Sequence, residues 1–106
     1  MPRCEVKILP SAWKGLEEIA EYHLLIAGPI SAKRITDRIL TALGRLEEFP
    51  LSAPFVPDTD LKDQDYRMLV CGEYVCIYRL LGDTVYVFHI AHGSTEYGIL
   101  LRYQIP

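Results

Sequence analysis

The stretch YRMLVCGEYVCIYRLLGDTVYVFHIAHGSTEYGILL, residues Tyr66–Leu101, decides the fold. It holds three runs rich in β-branched and aromatic residues, Tyr66–Cys71, Tyr74–Leu80 and Thr84–Ala91. Gly72-Glu73 separates the first two runs, and Leu81-Gly82-Asp83 the second and third. Short apolar runs joined by glycine-containing turns read as successive antiparallel hairpins. A parallel crossover needs a dozen or more residues, and these connections have two or three. A three-stranded meander follows.

Upstream, Leu51–Asp65 carries Pro54 and Pro57 together with Asp58, Asp60, Asp63 and Asp65. It reads as a loop over the core, anchored by Phe55 and Val56. Ahead of it, Ala32, Ile35, Ile39, Ala42-Leu43, Leu46 and Phe49 form one apolar stripe. Lys33, Arg34, Asp37, Arg38, Arg45 and Glu47 lie off that stripe, so a helix is expected from about Ile30 to Phe49, stopped by Pro50. Trp13, Leu16, Ile19-Ala20, Leu24 and Ala27 mark an earlier helix, about Ala12 to Ala27, with Ser11 as N-cap and Trp13 in the core. Gly15 weakens that helix by roughly 1 kcal/mol relative to alanine. Gly28-Pro29 ends it and opens the next, so the two form an antiparallel hairpin. Cys4–Leu9 alternates, Cys4, Val6 and Ile8 against Glu5 and Lys7, as a strand with one wet face does. The expected order is β-α-α-β-β-β: an α+β domain over residues 1–106, with the helical hairpin packed on one face of a mainly antiparallel sheet.

Composition narrows the function. The chain has 106 residues, half of them hydrophobic, enough for one core and no second. Lys and Arg number 11 against 14 Asp and Glu, a net charge of −3. The halves differ: residues 1–50 balance seven basic against seven acidic side chains, whereas residues 51–106 hold Lys62, Arg67, Arg79 and Arg102 against seven acids. A phosphate-gripping surface needs a basic patch, and here one could survive only locally. The three cysteines, Cys4, Cys71 and Cys76, show no CxxC spacing and suit reduced thiols. No signal peptide and no membrane-spanning run is read, so a bacterial cytoplasmic location is expected. Zinc at Cys71, Cys76, His89 and His92 is not expected, because a two-residue turn sets Cys71 opposite Tyr74 and Cys76 opposite Leu69. No cofactor is expected.

The pattern Tyr66-Arg67, Gly72, Tyr74-Val75, Ile77-Tyr78-Arg79, Gly82-Asp83, Val85, Ile90, His92-Gly93 and Tyr97 resembles the RelE/ParE superfamily, toxins of bacterial type II toxin–antitoxin modules. The resemblance implies the strand order of that fold, with the first strand antiparallel beside the return from helices to sheet. It implies a cognate antitoxin whose flexible arm wraps the toxin in a hetero-oligomer, and the acidic surface suggests a basic arm. The RelE branch cuts ribosome-bound mRNA with converging cations and a Tyr or His, which deprotonate the 2′-hydroxyl and stabilise the phosphate as charge develops. Arg67 matches one such position, and Arg79, His92 and Tyr97 complete the catalytic candidates. Leu69, Val75 and Ser94 stand where the nucleases carry basic residues. The ParE branch poisons DNA gyrase, and Gly72-Glu73-Tyr74-Val75-Cys76-Ile77-Tyr78-Arg79-Leu80 with Ala91-His92-Gly93-Ser94 is nearer to it. The bland alternatives are ion pairs from Arg67 and Arg79 to Asp83, Asp65 or Glu73, and a structural His92.

Overall fold

The structure is a computed structural model and describes residues 3–94. Strand β1 spans Glu5–Ile8, helix α1 Pro10–Ala27 and helix α2 Pro29–Gly44. A 3-10 turn at Arg45–Glu47 and a short helix α3 at Thr59–Asp63 lead to β2 (Arg67–Cys71), β3 (Tyr74–Leu81) and β4 (Thr84–His92). The meander is as expected, with Cys71 opposite Tyr74 and Leu69 opposite Cys76. The αα-hairpin and the α+β class also stand as read.

The sheet order is β1-β4-β3-β2, and β1 pairs with β4 in parallel, Glu5 beside Thr84 through Ile8 beside Val87. The expected antiparallel first strand is therefore corrected. The reason lies in where α2 delivers the chain. The 3-10 turn that follows α2 lies at the start of β1, where the Cys4 N–H donates to the Glu47 carbonyl at 2.8 Å. β2 enters the sheet at Arg67, level through Tyr78 and Val87 with Ile8 at the end of β1, and runs in the direction of β1; two hairpin reversals then give β4 the same direction.

Both faces of the sheet are covered. On the helical side Leu16, Ile19, Ile39, Leu43 and Leu46 pack with Cys76, Tyr78, Val85, Val87 and Ile90. On the other side Val56 and Leu61 pack with Tyr66, Val75 and Ile77. Cys76 and Ile77 alternate along β3 and point to opposite faces, yet both are fully buried. The segment before β2 explains it. Asp58 caps α3 by accepting from the Leu61 N–H, and Val56 N–H donates to Tyr66 O at 2.9 Å. That folds the stretch first read as a plain loop onto the second face. Val56 is a true anchor, whereas Phe55 stays partly exposed.

Three further expectations about the helices change. Leu9, not Ser11, is the N-cap of α1, because Pro10 has no N–H to lose and its fixed φ suits the first helical position. Ser11 instead donates its hydroxyl to Phe88 O at 2.7 Å. Phe88 is the extra residue of a bulge where the β3–β4 register shifts. Trp13 is 44% exposed, and Phe49 falls past the end of α2 at 62%. Gly15 faces β4 so closely that a Cβ there would lie 2.1 Å from Ile90 O. The residue that weakens α1 in isolation is the one that lets its backbone meet the sheet.

Candidate functional site

Because α1 meets β4 at Gly15, the outer part of the helix overhangs the tips of β3 and β4. A groove of about 630 Å³ opens between them. Lys14, Glu18 and Tyr22 line it from α1, Glu73 and Tyr74 from the β2–β3 turn, and His89 and His92 from β4.

Tyr74 is the hinge of this site. Its hydroxyl lies 2.8 Å from His23 Nε2, and His23 Nδ1 lies 3.2 Å from Ser31 Oγ, tying α1, α2 and β3 together. The His92 ring stands edge-on to Tyr74 with centroids 5.7 Å apart. The Ser94 N–H donates to His92 Nδ1 at 3.1 Å, and Ser94 Oγ lies 2.7 Å from the same nitrogen. An accepting Nδ1 puts the ring proton on Nε2 of this exposed residue. Burial, then the nearby Glu73 carboxylate, pushes the Tyr74 hydroxyl above its ordinary range, so it stays a neutral donor. Burial also lowers His89, against the opposing pull of Glu18, and its Nδ1 has no partner among the described residues. Cys76 is pushed up to about 12 by burial and carries no thiolate chemistry at neutral pH.

The candidates read from sequence do not meet here as a set. His92 lines the groove. Arg67 lies opposite Tyr78, four residues along β3 from the Tyr74 that faces His92, a separation of about 13 Å at 3.3 Å per residue. Its Nη1 donates to Ala53 O at 2.7 Å and Leu51 O at 3.4 Å, and the guanidinium lies 4.1 Å over the Phe55 ring. Tyr78 Oη donates to Pro50 O at 2.8 Å beside it. Arg67 therefore staples the 50–55 segment. Arg79 follows Tyr78 and so points to the other face, 4.9 Å over the Tyr66 ring. Neither arginine pairs with Asp83, Asp65 or Glu73 among the described residues. Tyr97 lies outside the described residues. Val75 and Leu69, where basic side chains would be needed, are packed among apolar ones. The residues that sequence reasoning missed are His23, Ser31 and Tyr74. Each looks ordinary on its own element, and nothing local joins His23 to a tyrosine 51 residues away.

The model of the ParE toxin of the type II toxin–antitoxin system parDE matches residues 6–97. The chain belongs to the ParE toxin family. Among solved structures, it is similar to a chain of the chromosomal ParDE toxin–antitoxin system of P. aeruginosa, with TM-score 0.73 and 16% identity over 87% of this chain and 98% of that one. It is also similar to a chain of the RelBE2 toxin–antitoxin complex of Mycobacterium tuberculosis, with TM-score 0.62 and 18% identity over 85% and 98%. At these identities the two structures establish the shared fold. No curated protein matches the chain.

Proposed function

We propose that this ParE-family toxin halts growth by binding and poisoning DNA gyrase, without hydrolytic chemistry of its own. The observation that carries this reading is the dispersal of the cations. Phosphodiester cleavage needs several positive groups within reach of one phosphate. Arg67 is committed to backbone carbonyls on one face of the sheet, Arg79 to an aromatic ring on the other, and His92 stands at the far end. The groove at Tyr74 offers hydrogen-bonding groups and apolar walls, which suit recognition of a protein.

In the same reading the chain acts in the bacterial cytoplasm and is held inactive by a cognate antitoxin. No helix among the described residues is long and apolar enough to cross a membrane. The exposed tip of the helical hairpin, with Leu25 at 85% and Ile30 at 71% accessible, continues from the groove and suits the apolar face of an antitoxin arm. Glu18 and Glu73 on the groove favour basic residues in that arm; an acidic arm would count against this placement.

Pulse labelling just after induction without antitoxin tests the target. Thymidine incorporation falling first, with a DNA-damage response, supports gyrase. Methionine incorporation collapsing first would instead support mRNA cleavage by Arg67, Arg79, His92 and Tyr97. No change in either, from soluble protein, would leave a non-toxic binding module of the same fold.

A further inference from the structure

The net charge of −3 hides one local concentration of positive charge, and the fold assembles it. Arg34, Arg38, Thr41 and Arg45 recur at intervals of four, three and four, so they share one face of α2 and its 3-10 extension. All four are exposed. The acids near them have other partners: Asp37 pairs with Lys33 at 2.6 Å, and Glu47 and Glu48 share Arg3 at 3.8 and 2.6 Å, which leaves one net negative charge on that pair against the three arginines. Arg34, Arg38 and Arg45 form no ion pair with a described carboxylate. Three guanidinium groups without a direct carboxylate partner therefore stand in line on a protein that is otherwise negative.

The geometry points to a phosphate backbone as their ligand, and we propose that this face of α2 binds duplex DNA through its phosphates without reading sequence. Arg34 and Arg45 are about 16 Å apart along the axis at 1.5 Å per residue, too far for one small anion to span. Arg38, Thr41 and Arg45 flank a depression of about 380 Å³, which Asp37, held by Lys33, and Ala42 also line and whose far wall is Val70, Cys71 and Gly72. The ligand must repeat its negative charge along a line. The stripe itself holds no apolar side chain, and Val70 across the depression is exposed but is not the buried aromatic anchor that dominates peptide recognition. Planar guanidinium groups instead match phosphate oxygens two at a time. The acidic remainder of the surface repels a polyanion, which confines binding to this face and fixes the orientation.

The inference deepens the gyrase reading, since an inhibitor bound to gyrase works beside duplex DNA, but its test contains no gyrase. Fluorescence anisotropy would follow a labelled 20-base-pair duplex titrated with the full antitoxin-free chain at several salt concentrations. Three phosphate contacts predict that log K falls against log salt with a slope of about −2.7, a loss of about 40-fold between roughly 50 and 200 mM. Arg34→Ala, Arg38→Ala and Arg45→Ala should each make the slope shallower by about 0.9, and the triple variant should abolish binding. Alanine on an exposed helical face preserves the fold, and circular dichroism verifies it. A chain that fails to bind at low salt, or variants that leave the slope unchanged, would overturn the proposal. So would poly-glutamate that competes as well as unlabelled duplex at matched charge, because the face would then be a site for acidic polypeptide.

Discussion

Replacing Gly15 by alanine separates two opposite expectations. Helix propensity alone predicts a gain of roughly 1 kcal/mol, because Gly15 lies inside α1. The packing predicts a loss. The new Cβ would sit 2.1 Å from the Ile90 carbonyl oxygen, and its three nearest atoms all belong to the Ile90 backbone. Ordinary van der Waals contact begins at 3.4 Å, so helix and strand must part by more than an ångström. That separation loosens Ala12, Leu16 and Ile19 against the sheet. Overpacking a core costs about 1–3 kcal/mol, occasionally more, and a clash between two backbone elements belongs at the upper end. Setting the propensity gain against a cost of about 3 leaves a net loss of about 2 kcal/mol. Urea denaturation reads this as a lower midpoint at unchanged m-value. Gly44→Ala is the internal control: its φ is −59°, and a Cβ there would meet nothing within 4 Å. It should stabilise by about 0.5–1 kcal/mol. If Gly15→Ala stabilised the protein as Gly44→Ala does, the close approach of α1 to β4 would be wrong.

Other consequences are equally direct. Arg67→Ala removes the bonds to Ala53 and Leu51 and the stack on Phe55, and should cost about 2 kcal/mol in urea denaturation; unchanged stability would free Arg67 from its stapling role. Cys76, fully buried and with its thiol near 12, should stay unalkylated in the native protein at neutral pH and react only on unfolding, as mapped by mass spectrometry; rapid native labelling would contradict the burial. His89 has its folded pKa depressed, so the unfolded chain takes up the proton first as pH falls. Its contribution is therefore full above about pH 6.5 and is lost as pH falls through 6.5 toward the folded value. His89→Gln should flatten the stability-versus-pH slope in that window, and an unchanged slope would exclude His89 as its source.

The meander was legible because its turns are too short for any other connection, and the helices because their apolar stripes keep the helical period. The direction of β1 was not, since it depends on where α2 returns the chain and no residue of Glu5–Ile8 encodes that. The covering of the second face was half legible. Asp58-Thr59-Asp60-Leu61 carries a cap signal for α3, but the prolines on either side made the stretch read as loop. Ser11 and Gly15 were read by local rules as cap and weak point, whereas their roles are set by Phe88 and Ile90 across the core. The same limit hid the Ser31–His23–Tyr74 chain, whose members come from three elements. The loss of nuclease cations was legible one position at a time, and the structure adds that Arg67 and Arg79 face opposite ways.

The most direct test of the central claim is a gyrase reaction with purified components. The antitoxin-free chain is added in excess to gyrase, ATP and relaxed plasmid, and the products are resolved after detergent and protease treatment. Poisoning predicts loss of supercoiling and accumulation of protease-released linear DNA, both reversed by cognate antitoxin. Undiminished supercoiling, with the same preparation cutting mRNA on purified ribosomes, would contradict the account and return Arg67, Arg79, His92 and Tyr97 to the centre.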